Sequence, residues 1–342
     1  MTRRLLQAMA GAPHGGAETF FVRLAGALQR AGEDQRVLIR REPERAAQLR
    51  VAGVAVAEAR FGGRLDVATR GAFRREIAAW RPDVVLTWMN RATAFCPRGD
   101  FVHLGRLGGY YDLKYYRNCD HLIANTEAIA GYVVARGWAR DRVHYLPNFV
   151  PDPGLRQAVA GARRREGGVL ALALGRLHPS KGFDRLLDAL ALTEDVALWI
   201  AGEGPLGPAL RQQAEALGVA ERVRFLGWQN DVWPLLAEAD LLVCPSRHEP
   251  LGNVVIEAWA AGVAVVASDS DGPASLIENG RSGLLAPLGG GAPVLAEALS
   301  RLAGDAALRA RLAAAGRRAY EESFTEAAVV ARYRDLFDRV VR

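Results

Sequence analysis

Cysteine and long apolar runs are scarce in this chain of 342 residues. Its three cysteines are widely spaced and include no CxxC pair, which argues against a disulfide framework and against a zinc site. The longest stretch without a charged residue, 282–296, contains two prolines and four glycines and is shorter than the ~18 apolar residues of a membrane span. The first residues reach Gly11 and Pro13 before an apolar core of signal-peptide length forms. We therefore expect a cytoplasmic protein without a transmembrane helix.

Lysine occurs only twice, as Lys114 and Lys181, so arginine supplies nearly all of the positive charge. Residues 1–150 carry 23 Lys and Arg against 14 Asp and Glu, or +9, whereas residues 151–342 carry 21 against 24, or −3, which together give the +6 of the chain. A basic half favours an anionic substrate or an anionic membrane surface, although a solvated arginine-rich face explains the same charge. The sequence has no zinc finger, RNP motif or dense array of arginines and aromatics, so we expect no nucleic-acid partner.

Short apolar runs alternate with amphipathic segments in both halves, which is typical of parallel sheets covered by helices. The predicted strands of the first half are 37–39, 84–87, 102–104 and 121–124, and its predicted helices are 18–31, 67–80 and 126–136. The predicted strands of the second half are 169–174, 197–201, 223–225, 241–244, 264–267 and 283–285, and its predicted helices are 182–192, 205–217, 231–238, 252–261, 273–279 and 292–302. The sequence therefore predicts an α/β protein with two doubly wound, Rossmann-like domains.

Proline marks the predicted boundary between these domains. Residues 147–165 contain three prolines and run into the charged stretch 163–166, which is typical of a linker or hinge. We predict domains over residues 1–150 and 151–320 that face a cleft, and a C-terminal helix over residues 321–342 that packs back on the first domain. The tail from residue 307 is otherwise helical, with a break at 323–326.

A glycine turn at residues 11–18 stands at the exit of a first strand, which would precede the strand predicted at 37–39. The segment from Gly11 to Glu18, Gly-Ala-Pro-His-Gly-Gly-Ala-Glu, leads into an amphipathic helix. Backbone N–H groups of such a turn at a helix N-terminus bind phosphate or sugar oxygens. The spacing is not the GxGxxG of dinucleotide-binding proteins, so the segment also fits a purely structural turn.

Two cations, Arg176 and Lys181, follow the first predicted strand of the second half. Ligands of open parallel sheets bind outside the carboxyl ends of the strands, so this position favours a diphosphate site over two separate surface ion pairs. Further along, residues 245–260 place Glu249 before a predicted helix and Glu257 among its apolar residues. The N–H groups at the start of that helix favour an anion. Glu257 would need a polar partner if buried, such as ribose hydroxyls, and Glu249 at the loop tip is placed to contact a sugar.

Five motifs in this order resemble the retaining glycosyltransferases of family 4, which have the GT-B fold. They are Gly15-Gly16-x-Glu18, Pro147-Asn148, Gly175-Arg-Leu-x3-Lys-Gly182, Ala201-Gly-Glu-Gly-Pro205 and Glu249-x7-Glu257. The first half is also similar, more loosely, to bacterial lipopolysaccharide-core enzymes. The resemblance implies a hexosyltransferase that uses a nucleotide-diphosphate sugar, with a UDP-sugar favoured. It implies a cell-envelope glycan or glycolipid as the acceptor, such as lipopolysaccharide core.

The resemblance also implies roles for individual residues. Arg176 and Lys181 would hold the diphosphate, and Glu249 would contact the sugar and stabilise positive charge at its anomeric carbon. Further donor contacts would come from Gly15, Gly16, Leu251, Gly252, Asn253 and Glu257. With two cations and a helix terminus facing the diphosphate, we expect no metal and no other cofactor. The Asp-Ser-Asp sequence at 269–271 matches a metal signature of the other glycosyltransferase fold, but it also fits a helix cap or a turn.

The acceptor side departs from the family pattern. Many members have a histidine just past the fourth strand of the first domain, whereas His103 falls within a predicted strand, where a structural role is favoured. The acceptor-side candidates are Glu18, His103, Tyr110, Tyr111 and Asp112. The arginine-rich helix at 65–80 fits an amphipathic contact with an anionic membrane, at the inner face of the cytoplasmic membrane, or ordinary packing on the sheet.

Two other functions fit the same motifs. One is a sugar-nucleotide epimerase or a phosphorylase of the same fold, although a phosphorylase needs a cofactor-binding lysine segment that two lysines hardly provide. The other is a non-catalytic nucleotide-sugar-binding scaffold, which has no need of four charged residues at the predicted site. Product formation distinguishes these functions.

Overall fold

The computed structural model describes residues 3–13, 15–63, 66–154 and 168–341. The chain forms two compact units. Unit 1 comprises Met1–Phe149 and Glu326–Arg342, and unit 2 comprises Val150–Thr325. Most of the predicted linker, including the charged stretch 163–166, lies outside the described residues.

Unit 1 contains a seven-stranded parallel sheet. Its strands are β1 (Arg4–Met9), β2 (Asp34–Arg40), β3 (Ala55–Ala59), β4 (Val84–Trp88), β5 (Val102–Leu107), β6 (His121–Ala124) and β7 (Val143–Tyr145). The strand order is β3-β2-β1-β4-β5-β6-β7, so β1 lies between β2 and β4. Its first helices are α1 (Gly16–Arg30), α2 (Pro43–Val51), α3 (Val67–Trp80), α4 (Met89–Phe95) and α5 (Glu127–Val134), and a short 3-10 helix covers Leu113–Tyr116.

Helices cover both faces of the unit 1 sheet. Successive residues of a strand point to opposite faces, so a strand that is apolar throughout contributes to the core on each side. On β1, Leu5 and Met9 belong to the apolar cluster that includes α1, whereas Leu6 and Ala8 belong to the cluster that includes α3 and α4. The arginine-rich helix α3 buries Phe73 in that second cluster. This is the doubly wound arrangement that the sequence predicts.

Unit 2 contains a six-stranded parallel sheet in the order β10-β9-β8-β11-β12-β13. Its strands are β8 (Val169–Leu174), β9 (Val196–Ala201), β10 (Val223–Gly227), β11 (Leu241–Cys244), β12 (Ala264–Ser268) and β13 (Leu284–Ala286). Its helices are α6 (Phe183–Ala191), α7 (Gly207–Ala216), α8 (Trp233–Glu238), α9 (Asn253–Ala260), α10 (Asp271–Leu276), α11 (Gly291–Gly304) and α12 (Ala306–Ser323). Alternate residues of β8 enter two apolar clusters: Ala171 packs with α6 and α11, and Leu172 packs with α8 and α9. The prediction of two Rossmann-like units is confirmed.

The final helix, α13 (Glu326–Val341), is part of unit 1. Its apolar face, which includes Val329, Tyr333 and Phe337, is buried in the same cluster as α1. The two residues between α12 and α13 break the helical tail where the sequence predicts a break. No helix among the described residues is long and apolar enough to cross a membrane.

Four elements were missing from the sequence prediction, α2, β3, α4 and β7, and β1 was implied by the glycine turn that follows it but was given no bounds. β3 lies at the edge of the sheet, contains three alanines and buries only Ala59, so its apolar pattern is weak. β7 has three residues and α4 has seven, which are too few to show a period.

Candidate active site

The loops after β8, β9 and β11 lie at the carboxyl edge of the unit 2 sheet and are joined by backbone hydrogen bonds. The Leu177 N–H donates to the Glu203 carbonyl at 2.9 Å, which connects the loops after β8 and β9. The Ser180 carbonyl accepts from the N–H groups of Arg247 at 2.8 Å and His248 at 3.1 Å, which connects the loops after β8 and β11. Segments that are far apart in sequence are therefore held together.

Lys181 and Glu249 form an ion pair in this group of loops. The Lys181 ammonium donates to Oε2 of Glu249, and Oε1 of the same carboxylate accepts the Gly252 N–H at 3.3 Å. The two side chains are 26% and 13% exposed, so the pair is partly shielded from water. Two of the three predicted catalytic residues thus meet, although they are 68 positions apart in the sequence.

Gly182 allows the loop that carries Lys181 to approach the loop after β11. Its φ is +68°, in the left-handed region, and a Cβ atom at this position would lie 2.2 Å from the Pro245 carbonyl oxygen. Any other residue would be strained and would displace the Pro245 backbone. The close approach therefore explains why glycine follows the lysine in this motif.

Arg176 follows Gly175 on the loop after β8 and has a different environment from Lys181. Its side chain is exposed. Within the part of the chain that the structure describes, it makes no hydrogen bond and no ion pair. The structure therefore places Arg176 at the same edge of the sheet as Lys181 and Glu249, without a hydrogen bond or ion pair to either.

Helix α9 begins directly after the loop that carries Glu249. Gly252 is its N-cap, with a φ of +81°, and Leu251 before it is buried. Glu257 is half-buried between the buried residues Ile256 and Ala258. Asn253 and Glu257 are four residues apart, so they lie on one side of the helix. The predicted donor-binding residues 251–253 thus form the N-terminus of α9, with Glu257 one turn further along.

The glycine turn of unit 1 is braced by Glu18. The Glu18 carboxylate accepts the Ala12 N–H at 2.7 Å. A Cβ atom on Gly15 would lie 2.2 Å from Oε2 of Glu18, and one on Gly11 would lie 2.6 Å from its Cγ. Gly15 and Gly16 themselves are exposed at the start of α1. The Glu18 side chain therefore fills the turn, and a Cβ atom on Gly11 or Gly15 would displace it.

The acceptor-side candidates 110–112 lie after β5 and differ in their contacts. The Tyr110 ring is 42% exposed, with its centroid 5.1 Å from that of Tyr132. Burial and the charge of Glu18 raise the pKa of Tyr111. Asp112 accepts the Lys114 N–H at 3.0 Å and caps the short 3-10 helix, and the Lys114 side chain lowers the pKa of its carboxyl. Tyr111 is therefore the candidate that shares an electrostatic environment with Glu18.

His103 is a core residue, which corrects its assignment to the acceptor side. It is the second residue of β5, near the amino edge of the sheet, and only 3% of it is exposed. Its Nδ1 lies 3.2 Å from the Asn118 carbonyl, which can only accept, so Nδ1 carries the proton and Nε2 accepts from the Thr87 hydroxyl at 2.9 Å. Burial lowers its pKa to about 4, so the ring is neutral at pH 7.

The Asp-Ser-Asp segment at 269–271 takes part in the local structure. Oδ1 of Asp269 accepts the Leu288 N–H at 2.7 Å, and Asp271 is the first residue of α10. Over the described residues, no group of three or more His, Cys, Asp or Glu side chains is arranged to hold a metal ion.

Three buried arginines, Arg45, Arg106 and Arg185, were not identified from the sequence. Arg106, the last residue but one of β5, packs its guanidinium over the rings of Phe20 and Trp88. It donates to the Tyr333 hydroxyl at 2.8 Å and to the Asn148 side chain at 2.6 Å. The hydrogen bond to Tyr333 attaches α13 to the sheet, and the hydrogen bond to Asn148 gives the Pro-Asn motif a structural role. Arg185 of α6 is 6% exposed, and its guanidinium has no hydrogen-bond partner among the described residues. A single arginine in a mostly apolar helix does not show from the sequence alone whether its side chain is buried or exposed.

Comparison with known proteins identifies the family. A family model described as glycosyl transferases group 1 matches residues 168–305, and one described as Glycosyltransferase Family 4 matches residues 14–152. The lipopolysaccharide core biosynthesis glycosyltransferases LpsE and LpsD of Rhizobium meliloti (strain 1021) are each 36% identical over 336 residues. The alignments cover 94% of this chain and 95% of LpsE, and 96% of this chain and 96% of LpsD.

Similarity in structure extends over both units. The crystal structure of Anabaena Alr3699/HepE in complex with UDP and glucose has a TM-score of 0.81 and 21% sequence identity, and the match covers 98% of this chain and 100% of that chain. At this identity the likeness concerns the fold. Together with the family models and the two relatives, it shows that the chain belongs to glycosyltransferase family 4 and is a glycosyltransferase with the GT-B fold.

Proposed function

We propose that this protein transfers a hexose from a UDP-sugar to a saccharide of the lipopolysaccharide core, with retention of the anomeric configuration and without a metal ion. The observation that carries the proposal is the Lys181–Glu249 pair at the carboxyl edge of the unit 2 sheet, joined to the start of α9 through the Gly252 N–H. The names of LpsE and LpsD support the acceptor, and the UDP complex of HepE supports the donor.

In this proposal Lys181 and Arg176 bind the diphosphate of the donor. The leaving UDP gains negative charge as its bond to the sugar breaks, and fixed cations that face this charge lower the barrier. The N–H groups at the start of α9 add to the positive potential. With these groups in place the residues of unit 2 provide charge stabilisation without a metal ion.

Glu249 acts on the other reacting partner, the sugar. Its carboxylate accepts hydrogen bonds from sugar hydroxyls and stabilises the positive charge that develops at the anomeric carbon. The acceptor hydroxyl forms the new bond to that carbon as the bond to UDP breaks, and its proton passes to the departing diphosphate. Attack from the face that the diphosphate leaves gives retention.

The remaining donor contacts are assigned by position. Glu257 binds the ribose hydroxyls, and residues 251–253 contact the phosphate or the sugar. For unit 1 we propose that the exposed N–H groups of Gly15 and Gly16 bind a phosphate oxygen, and that Tyr110, Tyr111 and Asp112 contribute to the acceptor side. A cytoplasmic location with peripheral contact to an anionic membrane stays a prediction, which sedimentation with anionic vesicles tests.

The experiment is a transfer assay with purified protein, a panel of UDP-hexoses and truncated lipopolysaccharide cores, in buffer containing EDTA. We expect core that has gained one hexose, together with free UDP, and an NMR spectrum of the product that shows the donor's anomeric configuration. An inverted product contradicts retention, and a requirement for added Mg²⁺ or Mn²⁺ contradicts the metal-free mechanism. Release of an epimerised UDP-sugar without transfer would indicate an epimerase, and donor binding without any product would indicate a scaffold.

A further inference from the structure

A cavity of about 370 Å³ lies in unit 1 and is separate from the residues assigned above to the donor. Its walls come from the loop after β3, helix α3, helix α4 and the short 3-10 helix after β5. Its volume is in the range of sites that hold small molecules. We call it the Arg70–Arg91 cavity, after the two arginines that line it; its other polar side chains are Asn90 and Tyr115.

Positive charge dominates the Arg70–Arg91 cavity. No carboxylate is among its described lining residues, and neither arginine forms an ion pair with the part of the chain that the structure describes. The Arg91 guanidinium donates to the Phe61 carbonyl at 3.3 Å, and the Arg70 guanidinium lies 5.9 Å from the ring centroid of Phe95. Two guanidinium groups without a counter-charge, in one concave site, match an oxyanion such as phosphate or carboxylate.

The neighbouring acidic residue forms hydrogen bonds within its own segment of the chain and no ion pair with either described arginine, Arg70 or Arg91. Asp66, at the start of α3, directs its carboxylate to the Gly62 N–H at 2.7 Å and to the Thr69 hydroxyl at 2.6 Å. These hydrogen bonds hold the pKa of Asp66 low, at about 2. Asp66 thus orders the loop after β3, which forms one wall, and leaves both arginines available to a ligand.

The uncharged groups of the cavity suit a saccharide. Asn90 lines the cavity, and its side-chain amide can donate to and accept from sugar hydroxyls. Tyr115 also lines the cavity, and Phe95 provides an apolar wall for a sugar ring. Oxyanion recognition and hydroxyl recognition therefore occur in the same cavity.

We infer that the Arg70–Arg91 cavity binds an acceptor saccharide that carries a phosphate or carboxylate group. The arginines pair with the anionic group, and Asn90 and Tyr115 bond to hydroxyls of the same sugar. Calling the ligand an acceptor rests on the proposed function. Binding of an anionic sugar at this cavity does not depend on catalysis and can be measured separately. The inference restricts the substrate class of the enzyme to charged glycans.

Titration calorimetry of the full chain tests the binding step without catalysis. The probes are glucose 6-phosphate, glucuronate, glucose and inorganic phosphate. We expect a charged sugar to bind at least about ten-fold more tightly than glucose and more tightly than inorganic phosphate, with an affinity that falls as salt is added. Arg70→Gln and Arg91→Gln should each weaken that binding by about ten-fold or more. Arg74→Gln is the matched control, an exposed arginine of α3 that does not line the cavity, and it should bind as wild type does.

Several results would overturn the inference. They are equal affinity for glucose and the charged sugars, inorganic phosphate binding as tightly as the sugar phosphate, and unchanged affinity in both cavity variants. Sedimentation with anionic vesicles that depends on Arg70 and Arg91, without binding of a charged sugar, would assign the cavity to a lipid surface instead.

A transfer assay with charged and neutral forms of one acceptor separates this inference from the proposed function. If the variants transfer to both acceptors as wild type does, the cavity assignment fails and the glycosyltransferase function stands. If charged sugars bind through the arginines but no lipopolysaccharide core is extended, the proposed acceptor fails and anion binding by the cavity stands.

Discussion

The Lys181 ammonium donates to the Glu249 carboxylate, and the second oxygen of that carboxylate accepts the N–H of Gly252. A cation, an anion and the start of a helix are therefore connected through a single side chain. Because β8 and β11 are neighbours in the sheet, the loops that follow them meet at its carboxyl edge. This relationship predicts distinct consequences for the loss of each partner.

Replacement of Lys181 by alanine should weaken UDP-sugar binding and slow transfer. Loss of a hydrogen bond between the ammonium and the charged diphosphate should lower donor affinity by about ten-fold to a hundred-fold. The value of kcat/KM should fall by about 10² to 10³, because the leaving diphosphate also loses a stabilising cation. Calorimetry and a transfer assay measure the two effects. Arg281→Ala is the control, since Arg281 is an exposed residue of unit 2 that pairs with the exposed Glu278. Wild-type kinetics in a folded Lys181→Ala variant would exclude the proposed role.

Glu249→Gln should lower kcat by about 10² or more with little change in donor affinity. Glutamine retains an oxygen that can accept the Gly252 N–H, so α9 should keep its start while the negative charge near the anomeric carbon is lost. Steady-state kinetics with the transferred hexose as the readout give the two parameters. The matched exchange Glu278→Gln, at an exposed site, should have no effect. Equal kcat values for Glu249→Gln and wild type would disprove electrostatic stabilisation by this carboxylate.

Gly182→Ala should lower both stability and donor affinity. The alanine Cβ would meet the Pro245 carbonyl, and the residue would also be held at positive φ, which together cost on the order of 2–3 kcal/mol. Gly218→Ala separates the two effects, because Gly218 has a φ of +70° with no described atom within 4 Å of the added Cβ. That control should lose about 1 kcal/mol and bind UDP-sugars normally. Similar results for both variants in urea unfolding and in calorimetry would show that the approach to Pro245 is unimportant.

His103 should make unit 1 less stable in mild acid. Its pKa is lowered from 6.5 to about 4 in the folded protein, so the unfolded chain takes up a proton first as the pH falls. Stability from the neutral ring is complete above pH 6.5 and is lost between pH 6.5 and pH 4, by on the order of 3 kcal/mol. Urea unfolding at several pH values measures this loss. The His103→Gln variant should be less stable than wild type at pH 7, but its free energy of unfolding should fall less between pH 6.5 and pH 4. Equal falls in the two proteins would rule out His103 as the cause.

The strands that the sequence predicted at their observed bounds are fully or almost fully buried apolar runs. His121–Ala124, Val169–Leu174 and Leu241–Cys244 are of this kind, because a central parallel strand is covered on both faces. Elements with a weaker pattern were missed. Ala55–Ala59 is an edge strand that buries only Ala59, and Met89–Phe95 is under two turns long, so neither shows the period on which the prediction depends.

The candidate site was predictable residue by residue but not as a set of contacts. The sequence placed Lys181 and Glu249 after separate strands, and only the strand order shows that the two loops meet. The assignment of His103 to the acceptor side was wrong because the residue lies near the start of β5 and is buried. The Arg70–Arg91 cavity was also missed, since it forms where α3, α4 and the 3-10 helix after β5 come together.

The central claim is that unit 2 binds a UDP-sugar through the residues around α9. Titration calorimetry of the full chain against UDP-, GDP- and ADP-sugars, without added metal, tests it most directly when repeated with Glu257→Ala. We expect selective binding of a UDP-hexose by wild type and its loss in the variant, since Glu257 is assigned to the ribose. Absence of binding to every nucleotide sugar, or equal binding by wild type and Glu257→Ala, would contradict donor binding at this site.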